Sequence, residues 1–320
     1  MSFKKYISLF LVFAVSACLC ACAKNDSKEY VAVIAKAVNS DFWHNVNNGV
    51  LSAATEHNVE VTFEGPENEE DYDSQNALIE SAVKRGAKAI VISAIDYNNS
   101  VEAVNAAVKK GVKVVAIDSD VNSEAVSLFI GTDNFVAGNE AGKAATDGFA
   151  PESQIVIGLV NYYANTDNGN LREKGFREYI GRISNAYIAA VVTAESNEES
   201  ATSAAEKLLR ENPDINVIVG FNEWMTLGVG NAVKNLGASE RVRSVGFDSN
   251  LKSVSMLETG EMDALIVQNP FAIGYLGVEK ATALISGEGL PNGDIFTDVT
   301  TVTKENLFDD KIQRILFRFK

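Results

Sequence analysis

The stretch AKAIVISAIDYNNSVEAVNAAVKKGVKVVAID, residues 87–118, decides the fold. It opens on the apolar, β-branched run AKAIVISA (87–94) and closes on a second such run, VKVVAID (112–118). Between them Val101, Val104, Ala107 and Val108 recur at the spacing of one helix face. Strand, helix and strand in this order form the crossover unit of a parallel sheet. Strands that are apolar throughout belong to sheets covered by helices on both faces.

The alternation continues on either side. YVAVIAKA (30–37) and VEVTFEG (59–65) come before it and SLFIGTD (127–133) after it. It restarts in QIVIGLV (154–160), AYIAAVV (186–192), NVIVGFN (216–222), RVRSVGF (241–247) and DALIVQ (263–268). So many strands exceed one compact doubly wound unit, and two αβ lobes of about five strands each are expected. No linker rich in Pro, Gly or Ser divides the lobes, as expected of a hinge made from short crossing strands. VKVVAIDSD (112–120) and RVRSVGFDSN (241–250) echo each other, placing Asp118 and Asp248 just past a strand in either half. Open α/β sheets hold ligands beyond the carboxyl ends of their strands. A lone Asp there serves equally as a cap for the following helix; a matched pair favours a ligand site between the lobes.

The chain has 320 residues, a net charge of −15 and 46% hydrophobic residues, a globular composition. Its acidic balance argues against DNA or RNA as a partner. All three cysteines lie between residues 18 and 22, so no disulfide framework or Cys-ligated metal is expected in the folded part. Lys4 and Lys5, followed by the apolar run from Tyr6 to Ala17, read as a secretory signal, too short for a permanent span. VSAC (15–18) resembles the lipobox of bacterial lipoproteins, in which the thiol of Cys18 would take a diacylglyceryl group; LCAC (19–22) offers Cys22 instead. A signal cut without lipidation, or a short membrane anchor, is the other reading. The division expected is a signal peptide over 1–17, then a lipidated Cys and polar tether over 18–29. Loss of the signal takes the charge from −15 to −17.

Eight segments then carry a resemblance: VNSDFWHNVNNG (38–49), RGAKAIVISAID (85–96), VKVVAIDSD (112–120), FIGTDNFVAGNEAG (129–142), LREKGFREY (171–179), VIVGFNEWMTLGVGNAV (217–233), VRSVGFDSN (242–250) and LIVQNPFAIGYLGVEKA (265–281). In this order the chain resembles the periplasmic sugar-binding proteins of ABC transporters, of the ribose- and galactose-binding type. The resemblance implies an α/β chain with two doubly wound parallel-sheet lobes, 30–132 plus 269–298 and 133–268 plus 299–320, joined by a three-crossover hinge. It implies a monomeric receptor, not an enzyme, with no cofactor and no nucleic-acid partner. Its partners would be a sugar, ABC permease subunits and, through the lipid, the extracytoplasmic face of a bacterial cell membrane.

The family's ligand positions fall on Phe42 and Trp43, whose flat rings suit the C–H face of a sugar. They fall also on Asp118, Asn222, Asp248, Gln268 and Arg172 of the R-x-x-G-F pattern completed by Gly175 and Phe176. Asn168, one helical turn before Arg172, adds a contact. Carboxylates, amides and a planar guanidinium match hydroxyls that each donate and accept, and Arg172 offsets the repulsion between two buried carboxylates. Ser40 stands where relatives carry a larger Asn or Asp. Ser119 stands where ribose binders tend to have Arg. The second-lobe aromatic position falls on Ser196, with Trp224 as its replacement. These departures put ribose itself in doubt and leave a pentose, hexose or polyol open.

Other chemistry is thin. His44 and His57 have no metal-ligand set around them, no nucleophile–base pair is placed, and GFNEWMTLGVG (220–230) is not a phosphate loop. ENEEDYD (67–73) lacks the Gly and terminal Glu of a calcium loop and reads as a solvated loop leading into a helix. KIQRILFRFK (311–320) is expected to pack its apolar residues on the second lobe. The same cleft would suit delivery to a permease or a sensor presenting its ligand state to a membrane histidine kinase. A secreted αβ enzyme acting on sugars is the third possibility.

Overall fold

The computed structural model describes residues 28–163 and 165–317. Cys18, Cys22 and the last three residues of the basic C-terminal segment lie outside them. The chain begins with β1 (Tyr30–Ile34), α1 (Asp41–Glu56), β2 (Glu60–Glu64), α2 (Tyr72–Lys84), β3 (Ala89–Ile92), α3 (Val101–Lys109), β4 (Lys113–Ile117) and β5 (Phe129–Thr132). It continues with α4 (Asn134–Thr146), β6 (Ile155–Asn161), α5 (Asp167–Ile180), β7 (Ala186–Thr193), α6 (Glu198–Glu211), β8 (Val217–Gly220), α7 (Glu223–Asn235), β9 (Arg243–Phe247), α8 (Leu251–Thr259) and β10 (Ala264–Val267). The last elements are α9 (Pro270–Ser286), β11 (Ile295–Thr297), β12 (Thr300–Thr303) and α10 (Asp310–Leu316).

These strands form two six-stranded sheets, ordered β2-β1-β3-β4-β5-β11 and β7-β6-β8-β9-β10-β12. All neighbours run parallel except β10 and β12, which are antiparallel. The two doubly wound lobes expected from sequence are present. Each sheet carries one strand more than expected, β11 in the first and β12 in the second. Both are three or four residues long, lie at a sheet edge and are mostly half-exposed, so neither prints an apolar run.

The chain leaves the first sheet after β5, returns after β10 to pack α9 on α1, and crosses again between β11 and β12. Alternate residues of β1 face opposite cores. Val31 and Val33 join Val50 of α1 and Ile273 of α9, whereas Ala32 and Ile34 join Ile79 of α2 and Val104 of α3. The second sheet is enclosed by one continuous core that includes Leu159, Leu208, Phe221 and Val302. Ile312 of α10 is buried in it, so the C-terminal helix packs on the second lobe as its pattern predicted.

One close approach fixes the geometry of the site. A Cβ on Gly175 would lie 2.0 Å from the Phe135 carbonyl oxygen, and one on Gly138 would lie 2.1 Å from that of Arg172. Only hydrogen at both positions lets α4 and α5 press together there. Arg172 leaves α5 at that contact. Among the described residues, no helix is long and apolar enough to cross a membrane.

Candidate functional site

The carboxyl ends of both sheets face one cleft, as open α/β sheets place their ligands. Lys36 follows β1 and Asp118 follows β4 from one side; Tyr162, Asn222, Asp248 and Gln268 follow β6, β8, β9 and β10 from the other. Buried amides and hydroxyls tie the strand ends in place. Gln75 of α2 donates to the carbonyls of Ala35 and Ser93 at 2.9 Å each and accepts from Ile95 N at 2.9 Å. Thr226 of α7 donates to Phe247 O and accepts from Phe247 N, both at 2.7 Å. Asp118 and Asp248 sit just beyond these ties with φ of 58° and 67°. Two matched non-glycine residues in the left-handed region form a strained pair, at the echo seen in sequence. Neither Asp caps a helix, since α8 is capped by Asn250 and β5 is the element after Asp118.

The closed cleft is nearly filled by its own side chains, leaving a cavity of about 20 Å³, far below the roughly 300–1,000 Å³ of occupied small-molecule pockets. Phe42, Trp43, Asp118, Asn168, Arg172, Asn222, Asp248 and Gln268 all line it, as do Ser40 and Trp224. Phe42 and Trp43 meet edge to face at 5.0 Å, and the Trp43 indole donates to Glu69 Oε1 at 2.8 Å. Arg172 donates through Nε to Asn134 Oδ1 (2.9 Å) and through Nη1 to Phe221 O (2.7 Å), with its guanidinium 4.6 Å from the Phe247 ring. Its Nη2 is buried without a partner among the described residues. That donor lies in a residue lining the cleft and is the side chain's remaining capacity for a ligand oxygen.

Several of these side chains already bridge the lobes. Asn168 donates to Asp118 at 3.2 Å and accepts from Lys36 Nζ at 3.0 Å and Tyr162 OH at 2.8 Å. Lys36 also donates to Thr166 at 2.5 Å and stands 3.9 Å from Asp118. Glu223 accepts from Phe42 N at the start of α1 (3.1 Å) and from Asn250 (2.8 Å). Such a carboxylate at a helix N-terminus is favourably placed. At the cleft mouth Ser196 N donates to Glu70 at 2.8 Å and Tyr163 OH to Asp96 at 3.1 Å. The lobes are therefore closed on each other.

Burial shapes the charges. It pushes Asp248 up to about 7, against the pull of Arg172 and of the 2.6 Å bond from Gln268. Burial likewise raises Glu69 and lowers Lys36; Lys36 opposes the first shift and Asp118 opposes the second. Gln268 passes the chain on, accepting from Thr132 at 2.7 Å, so Asp248 is linked to residues at the hinge.

Three expectations are qualified by the structure. Ser119 does not line the cavity; its hydroxyl lies 3.3 Å from Thr166, inside the seam between the lobes. The acidic stretch 67–73 is not simply a solvated loop. Asp71 caps α2, but Glu69 turns into the cleft and Glu70 clasps the opposite lobe. Arg172 offsets the charge of Asp248 without an ion pair within 4.0 Å among the described residues, and the cation beside Asp118 is Lys36. Ser40 and Asn222 double as helix caps, accepting from Trp43 N at 3.3 Å and Met225 N at 2.9 Å. That bond uses one lone pair of the Asn222 carbonyl oxygen, and the second lone pair and the amide N–H groups remain for the cavity. Trp224 lines the cleft, and Ser196 does not.

Lys36, Glu69, Tyr162 and Glu223 were not singled out from sequence. Lys36 carried a signal, a charge at the carboxyl end of a wholly apolar strand; Glu69 carried none that distinguishes it from its acidic neighbours.

Residues 31–289 match the family described as periplasmic binding protein domain. The chain belongs to that family. Among its relatives, the D-allose-binding periplasmic protein of Escherichia coli is 29% identical over 268 residues, 81% of this chain and 86% of that protein. A carbohydrate transporter solute binding protein from Agrobacterium radiobacter, solved with D-arabinose, superimposes with a TM-score of 0.87 at 27% identity, covering 91% of this chain and 99% of that one. An ABC transporter solute binding protein from Agrobacterium vitis with bound D-fucose gives 0.86 at 31% identity, covering 90% and 100%. In this chain the polar constellation lies between two lobes rather than within either.

Proposed function

We propose that this chain is an extracytoplasmic substrate-binding lipoprotein that captures a sugar between its lobes and delivers it to an ABC permease. The observation that carries the proposal is the enclosed polar cleft beside an aromatic pair, with the unpartnered Nη2 of Arg172 among its lining residues. Relatives with D-arabinose and D-fucose in hand support a monosaccharide-sized ligand. Phe42 and Trp43 cover the apolar face of the ring. Asp118, Asp248, Asn168, Asn222, Gln268 and Arg172 meet the hydroxyls, with Lys36 and Glu69 as further partners. Residues 30–132 with 269–298 and residues 133–268 with 299–320 move as two bodies. The ligand stabilises the closed arrangement through contacts that exist only when both lobes reach it. Each hydroxyl partner that a wrong sugar leaves unpaired costs about 1–3 kcal/mol. No step of catalysis is assigned to any residue. The lipid is carried by Cys18, or by Cys22 if the second lipobox is used.

A thermal-shift panel of pentoses, hexoses and polyols on the full chain tests the proposal. Binding at n-fold excess over Kd raises stability by RT ln(1+n), so a cognate sugar gives a concentration-dependent rise. A rise with an amino acid or peptide and with no sugar overturns it.

A further inference from the structure

Four residues follow strands of the second lobe into the cleft: Tyr162, Asn222, Asp248 and Gln268. Three of them are amides or a carboxylate, with a polar part in the site proposed above. Tyr162 is the exception, an aromatic ring with only 2% of its surface exposed. It stands at the end of β6, whose neighbour β8 carries Asn222. Its ring reaches toward the first lobe, where the Lys36 ammonium lies 5.9 Å from the ring centroid. Its hydroxyl donates to Asn168 Oδ1 at 2.8 Å, an oxygen that also accepts from Lys36 Nζ (3.0 Å), Thr166 Oγ1 (2.9 Å) and Gly169 N (2.9 Å). That saturated oxygen turns the Asn168 amide toward Asp118, 3.2 Å away. A Cβ on Gly169 would lie 3.0 Å from Tyr162 Cζ and 3.2 Å from its hydroxyl oxygen, so the glycine makes room for the ring. Tyr162 belongs to the core of the second lobe and cannot swing aside without breaking its bond to Asn168.

The closed cleft keeps a cavity of only about 20 Å³, room for about one water molecule. A sugar taken up there parts the lobes around it, and the space it gains is bounded by side chains fixed within each lobe. Tyr162 is fixed in this way by Asn168, Gly169 and the core, all on its own lobe.

We propose that Tyr162 limits the size of the ligand: its ring takes the space that an exocyclic hydroxymethyl group would need, and the cognate sugar is a pentose or a sugar of that size. The inference rests on the sugar-binding reading above and narrows its substrate class. In a site this full, one extra carbon on the ligand is discriminated by about ten- to 200-fold. Burial raises the phenol of Tyr162 further above its ordinary range, so the ring acts as a neutral wall that also orients Asn168.

The test is calorimetric titration of the full chain with sugars paired so that each hexose adds one hydroxymethyl group to its pentose. The pairs are D-xylose with D-glucose, L-arabinose with D-galactose, D-ribose with D-allose, and D-lyxose with D-mannose. In the pair that binds best, the pentose should be favoured by about tenfold or more. Tyr162→Ala should cut that ratio at least about fivefold, mainly by tightening the hexose. Tyr162→Phe keeps the ring and should hold the ratio within about twofold. Should Tyr162→Ala fail to fold, Tyr162→Leu retains an apolar contact with the core and is read by the same ratio. A general loss of stability would weaken both members of a pair together and leave the ratio alone. The proposal is overturned if the hexose binds the parent chain as tightly as its pentose, if truncation leaves the ratio unchanged, or if Tyr162→Phe shifts it as far as truncation does. If no sugar of either size binds, the sugar-binding reading itself falls, and this inference with it.

Discussion

Asp118 and Asp248 combine a strained backbone with a buried carboxylate, and the combination guides how each is best tested. Alanine at φ near 60° adds backbone strain to the loss of the carboxylate, whereas Asn tolerates that conformation. Asp248→Asn should therefore fold like the parent. It should also reduce the pH dependence of closure. Burial raises Asp248 from the ordinary 3.8 to about 7, so the closed form favours the protonated acid. That contribution is fully present at acidic pH and is lost as pH rises through about 7. Glu69, also raised by burial, acts in the same direction. Ligand-free chain should be more compact by small-angle scattering at pH 5 than at pH 8. In Asp248→Asn the difference should shrink; an unchanged difference assigns the effect elsewhere. Arg172→Ala removes the unpartnered donor and also strands Asn134 Oδ1 and Phe221 O, each worth about 1–3 kcal/mol if left unpaired. Titration of Arg172→Ala should show sugar affinity down by roughly ten- to a hundredfold, and Arg172→Lys should not restore it because the planar fork is gone. Recovery of full affinity by Lys would show that charge alone matters.

At the scale of elements, the site depends on how tightly helices meet. Gly175→Ala would place a methyl 2.0 Å from the Phe135 carbonyl oxygen, forcing α5 off α4. Overpacking of this kind costs about 1–3 kcal/mol. The expected outcome is a lowered Tm together with weakened sugar binding, because Arg172 moves with α5. Loss of stability with undisturbed affinity would separate the helix contact from the site. The same scale shows what sequence can and cannot reveal. The apolar strands and their carboxyl ends were legible because burial on both faces leaves continuous Val, Ile and Ala runs, and Asp118, Asp248 and Gln268 follow from them. β11 and β12 were not, since edge strands of three or four half-exposed residues obey no periodicity. Glu69 was hidden for a different reason. Its partners Trp43 and Lys36 lie 26 and 33 positions away, and no local pattern distinguishes an acid that turns inward from its solvated neighbours. Ser119 likewise lies off the cavity, because a one-residue step past Asp118 directs its side chain into the interlobe seam.

For the whole molecule, the bonds between lobes define the state described. Lys36, Asn168, Glu223, Glu70 and Asp96 each reach across the cleft, and all of these contacts must break for a sugar to enter. Glu223→Gln keeps the bond from Phe42 N available and removes the charge at the start of α1, which contributes about 0.3–1 kcal/mol. It should lower affinity less than tenfold, mostly through faster release in stopped-flow measurements. An effect on capture alone would place Glu223 outside the latch. The measurement that goes furthest is calorimetric titration of the full chain with its best sugar, alongside Asp118→Asn from the first lobe and Asp248→Asn from the second. A sugar held between the lobes should bind one to one and lose at least tenfold in affinity in both variants. Absence of sugar binding, or affinity untouched by both substitutions, would contradict it.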